Sequence, residues 1–154
     1  LDAAFTSRWQ ALDGFLGAAH ALHFVAAVTV MSERGDLGRA VGDGSGTWFA
    51  TVGTDGRGSM KNLAGETMDA NASQIFVPTV FLYDNFPGGV GLSAPLYDLR
   101  DSVARRALEM VGSCACKHGC PACVGPILAC EEDRGYSPKQ SAARVLRLFS
   151  GVST

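Results

Sequence analysis

The sequence predicts a mixed α/β fold of the α+β type, in which a small sheet is packed by about three helices. Three segments carry apolar residues at steps of three and four, and one segment is a nearly continuous run of β-branched and aromatic residues. With 154 residues, 47% of them hydrophobic, the chain is long enough for one ordinary core. We therefore expect a single domain over residues 1–154. Four of the five cysteines lie close together near the carboxyl end.

The first predicted element is a long amphipathic helix. Residues with large or apolar side chains recur at steps of four and three and so share one helical face. They are Phe5, Trp9, Leu12, Leu16, Ala19, His23, Ala26 and Val30. Gly14 and Gly17 each cost roughly 1 kcal/mol in a helix interior, so they predict close packing or a kink. Residues 24–31 are rich in β-branched side chains and could instead form a buried strand.

The middle of the chain is rich in glycine. Glycines interrupt every regular pattern in residues 35–73, so we expect this segment to be mostly loop. Within it, residues 47–52 favour a short strand or hairpin, followed by a tight turn at Asp55-Gly56. Ile75 to Tyr83 is typical of a buried strand. Because Pro78 lacks an N–H, we expect pairing to cover residues 79–83.

Two more helices are predicted in the second half. The earlier one has Ser93 as its N-cap and stops at Gly112. The later one has Ser137 as its N-cap with Pro138 at the first helical position, and it closes at Gly151.

The glycine-rich turn before the earlier of these helices, residues 84–91, lies where phosphate-binding loops occur. However, no G-x4-G-K-[ST] motif is present, and Asp84 adds negative charge. We therefore interpret this segment as a tight strand-to-helix turn.

The charge balance restricts the partners. A net charge of −2 provides no global positive field, so contact with nucleic acid would have to be local. Arg105, Arg106 and Lys117 could contact DNA phosphates, and Trp48 could stack on an unpaired base. A solvated helix face offset by neighbouring acids is an equally good interpretation of the basic residues.

Targeting signals are also missing from the sequence. No continuous apolar run reaches the ~18 residues that cross a bilayer, and no export signal is seen near Leu1. We expect a cytoplasmic protein without a membrane partner, cut from a longer polypeptide because it begins with leucine.

The cysteine spacing C-x-C-x3-C-x2-C, formed by Cys114, Cys116, Cys120 and Cys123, admits three chemistries. Disulfides are least favoured, because they need an oxidising compartment and a Cys-x-Cys bridge closes a strained ring. A redox pair of Cys120 and Cys123 would need a helix after the motif, which Gly125-Pro126 breaks. Metal binding fits best, because four soft thiolates can surround a tetrahedral ion.

Zinc is the expected metal. A closed set of four sulfurs leaves no open position for water, so the site would support folding rather than catalysis. An iron–sulfur cluster uses the same ligands and is the alternative. His118 and Cys130 are possible substitute ligands, although a loop imidazole and a small buried thiol are the simpler interpretations. His20 and His23, spaced H-x2-H, are interpreted as helix or core residues.

The order of these motifs resembles a known family. A strand ending in Leu82-Tyr83-Asp84 is followed by Pro87-Gly88-Gly89-Val90-Gly91, a helix, and the Cys114-x-Cys116 and Gly119-Cys120-Pro121-x-Cys123 motifs. This set resembles the C-terminal zinc-binding domain of the mitomycin-repair (MrfA-type) DEAD/DEAH-box DNA helicases, most strongly over residues 75–149. The resemblance implies that the cysteines at 114, 116, 120 and 123 are the zinc ligands.

The resemblance also implies a function. The chain would be an accessory structural zinc-binding domain of an ATP-dependent superfamily 2 DNA repair helicase, with the motor domains of the same chain as its partner and DNA as a possible second one. These residues contain no Walker A, DEAD/DEAH box or arginine finger, so we predict no catalytic site in them. The alternatives are a zinc-knuckle protein interaction module without a DNA role, and a thiol redox protein.

Overall fold

The computed structural model describes residues 5–52, 58–69, 76–125 and 135–151. Within these ranges the chain forms four helices and five strands, which confirms the predicted α+β class. In chain order they are α1 (Arg8–Thr29), β1 (Leu37–Asp43), β2 (Trp48–Val52), β3 (Gly58–Asn62), β4 (Thr67–Met68), β5 (Pro78–Asp84), α2 (Ser93–Asp98), α3 (Arg100–Ser113) and α4 (Pro138–Ser150). The predicted Asp55-Gly56 turn, the start of the Ile75 run and Cys130 lie outside the described residues.

The strands form one antiparallel sheet in the order β4-β3-β2-β1-β5. β1 pairs along its whole length with β5, from Leu37 opposite Asp84 to Asp43 opposite Pro78. The prediction that residues 35–73 are mostly loop was therefore wrong, because this segment supplies four of the strands. The predicted strand at residues 79–83 is confirmed, one residue longer at each end. The prediction that it is buried was wrong, because β5 lies at the edge of the described sheet and exposes Phe81 and Tyr83.

The glycines of β1 explain the error. A Cβ at Gly38 would overlap the ring of Tyr83 on β5, and a Cβ at Gly42 would lie 2.7 Å from the backbone oxygen of Trp48. Glycine is needed in this strand because neighbouring groups pass close to its backbone. A prediction from local sequence treats glycine as a residue that interrupts secondary structure, because the sequence pattern does not show which groups of the neighbouring strand pass close by.

α1 is the central helix. It begins after Ser7, whose hydroxyl accepts a hydrogen bond from the Gln10 N–H at 3.1 Å, and it continues to Thr29. The alternative strand for residues 24–31 was therefore wrong. α1 packs against β1, β5, α3 and α4, so it is buried on most sides rather than along one stripe. Its second buried face consists largely of alanine and glycine, which give only a weak hydrophobic signal.

By length and composition alone, α1 resembles a membrane span. However, 72% of its most apolar stretch is buried inside the domain. A central core helix passes the same test.

One predicted helix is divided into two. α2 ends at Asp98 and α3 begins at Arg100, with Leu99 between them at φ −92° and ψ 5°. Ser93 is not an N-cap, contrary to the prediction. Its hydroxyl donates a hydrogen bond to Asp84 Oδ2 at 2.9 Å, and the Leu92 N–H donates to Asp84 Oδ1 at 3.0 Å. Asp84 therefore fixes the start of α2 from the end of β5.

The glycine-rich turn between β5 and α2 has the form expected of a tight connection. Gly88, Gly89 and Gly91 all have positive φ, between 69° and 89°. Because the carboxylate of Asp84 accepts the hydrogen bonds at the start of α2, this turn is not arranged to receive a phosphate.

α4 begins and ends as predicted. The Ser137 hydroxyl accepts a hydrogen bond from the Gln140 N–H at 3.3 Å, Pro138 is the first helical residue, and Gly151 ends the helix at φ 65°. α4 crosses α1 at Gly14 and Gly17, where a Cβ would lie 2.9 Å from a Ser141 backbone oxygen and from the Ala142 Cβ, respectively. The two glycines thus serve close packing, and α1 continues through them without interruption.

Candidate metal centre

The four clustered cysteines lie on the connection that leaves α3, residues 114–125, which we call the cysteine loop. The helix ends at Ser113, and Cys114 is already extended, with φ −65° and ψ 131°. Gly119 turns the chain with φ 123°. The N–H groups of Cys123 and Val124 then both donate to the Cys120 carbonyl at 3.1 Å, closing a turn. These bends bring the two halves of the connection, Cys114-x-Cys116 and Cys120-x2-Cys123, face to face.

The sulfur atoms converge on one point. The Sγ atoms of all four cysteines lie within 4.8 Å of one another. Three of the six Sγ–Sγ separations are 3.7 Å for Cys114 and Cys120, 3.5 Å for Cys116 and Cys123, and 3.6 Å for Cys120 and Cys123. No two of these sulfurs are bonded, because a disulfide bond is about 2.05 Å long.

These separations fit a single tetrahedral ion. Zinc–sulfur bonds of about 2.3 Å place the sulfurs of a tetrahedron about 3.8 Å apart, close to the separations found here. A cluster of several irons binds its cysteines through different metal atoms and separates their sulfurs farther than one ion does. The compact sulfur set therefore favours zinc and gives no support to the iron–sulfur alternative.

The surroundings of the sulfurs shift the pKa values of three of these thiols in different directions. Burial raises the pKa of Cys123 to about 12, and it also raises the pKa of Cys116. The backbone N–H groups of Cys123 and Ala122, which face the Cys120 sulfur, lower the pKa of that thiol to about 7. The loop thus stabilises the Cys120 thiolate by itself, whereas the buried Cys123 thiol and the partly buried Cys116 thiol need a positive partner to lose their protons near pH 7.

The carboxyl end of the cysteine loop packs against α1. Cys123 is only 2% exposed, and Val124 packs beside Gly17, where a Cβ would lie 3.2 Å from the Val124 Cβ. Gly125 has φ 85°, and a Cβ there would lie 2.8 Å from His20 Nδ1. Burial, followed by the charge of Arg39, lowers the pKa of His20 to about 4, so this imidazole is neutral near pH 7.

The amino-terminal half of the cysteine loop is hydrogen-bonded to α4. The Lys139 ammonium donates to the Cys114 carbonyl at 2.6 Å and to the Cys116 carbonyl at 2.9 Å. The Lys139 N–H donates to the His118 carbonyl at 2.9 Å, and the Ser137 hydroxyl donates to the same oxygen at 3.3 Å. The first turn of α4 therefore holds three residues of the cysteine loop by their backbone oxygens.

The histidines lie apart from the sulfur cluster. Among the described residues, the group that could hold a metal comprises the four cysteines alone, and the His118 side chain is exposed. His23 is buried, as predicted from its position on the core stripe. Its Nε2 donates to the Leu37 carbonyl at 2.9 Å, and its Nδ1 accepts from Arg39 at 3.1 Å. It is thus a satisfied core residue that links α1 to β1.

Of the four residues proposed to contact DNA, the structure exposes three and buries one. Arg105 and Arg106 are exposed on α3, and Lys117 is exposed on the cysteine loop. Trp48 is 1% exposed and stacks on Phe76, with ring centroids 5.5 Å apart. The prediction that Trp48 offers a stacking surface to a base was therefore wrong, because its ring belongs to the core.

In the sequence, His20 was considered only as part of the H-x2-H pattern, and nothing indicated that His20 or Lys139 lies beside the cysteine loop. Both are brought to the loop across long stretches of chain, and Lys139 belongs to no motif. The only available signal was the Ser137-Pro138 helix start, which places Lys139 in the first turn of α4.

Comparisons with known proteins agree with this site. The model of the family described as MrfA Zn-binding domain matches residues 18–124, which include all four cysteines. The ATP-dependent helicase YprA of Bacillus subtilis is 33% identical over 82 residues, covering 53% of this chain and 10% of YprA. Protein MJ1572.1 of Methanocaldococcus jannaschii is 33% identical over 67 residues, covering 44% of this chain and 59% of that protein.

A solved structure has the same fold. The crystal structure of the DUF1998 helicase MrfA bound to DNA superposes with a TM-score of 0.60 and 22% sequence identity. The match covers 92% of this chain and 15% of that helicase. The chain thus spans only a small part of the two helicases it matches.

Proposed function

Because this chain belongs to the MrfA Zn-binding domain family, we propose that it is the accessory structural zinc-binding domain of an ATP-dependent superfamily 2 helicase that acts in DNA repair. Cys114, Cys116, Cys120 and Cys123 hold the zinc ion. The observation that carries this proposal is the convergence of their four sulfur atoms within 4.8 Å. The similarity to helicase chains much longer than this one supports a role as one domain of such a chain.

The role of the metal is structural. Bound zinc would supply a positive centre that holds four thiolates together, and a set of four sulfurs leaves it no position for a substrate or water. The cysteine loop has little apolar material of its own, so ordering it depends on the metal and on its attachments to α1 and α4. No step of catalysis is assigned to the described residues.

We expect the motor domains of the same chain to be the principal partner. β5 is an edge strand of the described sheet, and its outward side chains Phe81 and Tyr83 are exposed. Beside it, a groove of about 540 Å³ lies between β5 and the helices α2 and α3, and Tyr97 is exposed at its border. An open strand edge beside exposed aromatic side chains is typical of a surface that packs against other protein.

DNA is the proposed second partner. Arg105 and Arg106 on α3 and Lys117 on the cysteine loop are exposed and could contact phosphates. Such contacts would not depend on base sequence. The alternative of an interaction module without a DNA role shares the same zinc site and differs only in this surface.

A thiol redox enzyme is less well supported. The Sγ atoms of Cys120 and Cys123 are 3.6 Å apart, but the other two sulfurs lie equally near. A redox pair needs only two thiols, whereas this loop gathers four.

The zinc assignment can be tested by substitution. Wild-type protein should contain about one equivalent of zinc by elemental analysis. Cys120→Ser should lose most of it and unfold at a lower temperature, because metal binding is coupled to ordering of the loop.

Cys130→Ser is the matched control, since it removes the one cysteine outside the proposed ligand set and should keep its zinc. Full retention of zinc by Cys120→Ser, or equal loss in both variants, would refute the ligand set.

A further inference from the structure

The side chain of Lys139 lies against the backbone of the cysteine loop. Its ammonium donates two short hydrogen bonds, of 2.6 and 2.9 Å, to the backbone oxygens of Cys114 and Cys116. Both acceptors belong to residues whose sulfurs lie in the metal cluster. Lys139 itself lies on α4, 23 residues beyond Cys116, and outside the range 18–124 that the family model matches.

The charge of Lys139 suits that location. A dication bound by four thiolates leaves the centre with an excess of negative charge. An ammonium group held against the backbone of two ligand residues reduces this excess at short range. Its hydrogen bonds also restrict the first half of the loop, so that the sulfurs of Cys114 and Cys116 are already placed when the metal arrives.

We propose that Lys139 is a positioning residue for the metal centre, which couples the docking of α4 to retention of zinc. This inference rests on the proposed zinc site. It assigns to α4 a function beyond closing the core, because the first turn of this helix becomes part of the support of the metal.

A simpler interpretation is available and makes a different prediction. Cys114 is the C-cap of α3, and lysine side chains often donate to the last carbonyls of a helix. If Lys139 were only such a cap, its loss would lower the stability of the metal-free and the metal-bound protein equally. A positioning residue for the metal should instead change the rate at which zinc leaves.

The experiment compares zinc release from four proteins: wild type, Lys139→Met, Lys139→Arg and Lys117→Met. Each is purified with zinc and mixed with an excess of a colorimetric chelator, and the first-order release rate is recorded. Lys117→Met is the matched control. It makes the same chemical change within the loop itself, at a side chain that is exposed.

We expect Lys139→Met to release zinc at least about tenfold faster than wild type, the usual size of a lost contact behind a metal ligand. Lys139→Arg keeps the charge and N–H donors, so it should restore most of the retention, and Lys117→Met should behave as wild type. In the metal-free form, the proteins should unfold at nearly the same temperature, even though the zinc-bound forms release zinc at different rates.

Equal release from Lys139→Met and Lys117→Met would overturn the proposal, as would equal destabilisation of the metal-free and zinc-bound forms. Should Lys139→Met fail to fold, Lys139→Gln decides instead: it keeps an N–H donor without the charge and should release zinc at an intermediate rate, whereas a wild-type rate would refute the role. If wild-type protein bound no zinc, the proposed function itself would fail, which is a separate outcome.

Discussion

Asp43 is a buried carboxylate, 1% exposed, at the turn that joins β1 to β2. Its oxygens accept hydrogen bonds from the Ser45 hydroxyl at 2.5 Å, from the Thr47 hydroxyl and N–H at 2.6 Å, and from the Trp48 N–H at 3.3 Å. Burial alone would raise the pKa of Asp43, but the hydrogen bonds from Ser45, Thr47 and Trp48 outweigh it and lower the pKa to about 2. The ionised carboxylate therefore holds the turn.

The stability that Asp43 contributes should depend on pH. Because its pKa is lowered from 3.8 to about 2 by folding, this contribution is complete above pH 3.8 and is lost as the pH falls towards 2. Asp43→Asn should destabilise the domain at pH 7 by about 2 kcal/mol, the scale of hydrogen bonds to a charged group. Urea unfolding at several pH values measures the difference from wild type, which should shrink between pH 4 and 2.

Acid would also remove zinc from the proposed site, but it would do so from wild type and variant alike, so the difference between them isolates Asp43. Asp98→Asn provides the control, since Asp98 is exposed at the end of α2. A difference from wild type that stayed constant from pH 7 to pH 2 would show that the charge of Asp43 is not what holds the turn.

At the level of elements, the contact between α1, α4 and the cysteine loop depends on Gly17. A Cβ at this position would lie 2.9 Å from the Ala142 Cβ on α4 and 3.2 Å from the Cβ of Val124, which follows Cys123. The absence of a side chain thus lets the helix approach both neighbours at once. The roughly 1 kcal/mol that glycine costs in a helix is offset by this close packing.

Gly17→Leu should therefore destabilise the domain by about 3 kcal/mol, because an overpacked core forces its neighbours apart. It should also speed zinc release, since Val124 adjoins Cys123. Gly112→Leu makes the same change in α3, where nothing lies within 4 Å of the added Cβ. That variant should gain up to about 0.8 kcal/mol from helix propensity. Thermal unfolding of both proteins makes the comparison, and equal midpoints would exclude the packing role of Gly17.

For the whole molecule, the charge decides how DNA could be bound. A net charge of −2 gives no general attraction to nucleic acid, so any binding must come from a local group of exposed cations. Arg105 and Arg106 lie next to each other on α3, whereas Arg147 is an exposed cation on α4. These positions allow a local contact to be separated from general charge.

We expect single-stranded DNA to bind the chain weakly and with an affinity that falls as salt rises. Replacing both Arg105 and Arg106 by alanine should reduce the slope of log affinity against log salt by roughly two, one for each lost phosphate contact. Arg147→Ala should leave the slope unchanged. Fluorescence anisotropy over a salt series, on this chain and on a full-length chain of the proposed helicase, supplies the data. DNA binding by that longer chain but not by this one would favour an interaction module without a DNA role.

Local sequence patterns determined much of this protein. Three features depend only on residues that are close together in sequence, and all three were predicted from it. They are the cysteine spacing, the strand at residues 79–83 and the caps of α4. The spacing of the proposed metal ligands is itself local, because Cys114 to Cys123 lie on one loop. The motif order was also enough to identify the family that the comparison later matched.

Only the tertiary structure decided the rest. Gly38 looked like an interruption of secondary structure, but the ring of Tyr83 packs across its backbone. Trp48 looked like a surface for base stacking, but its ring stacks on Phe76 in the core. The role of Lys139 became visible only because α4 packs beside the cysteine loop. Each of these roles depends on atoms that are distant in sequence. Burial and close approach are properties of the packed chain, and a local pattern does not contain them.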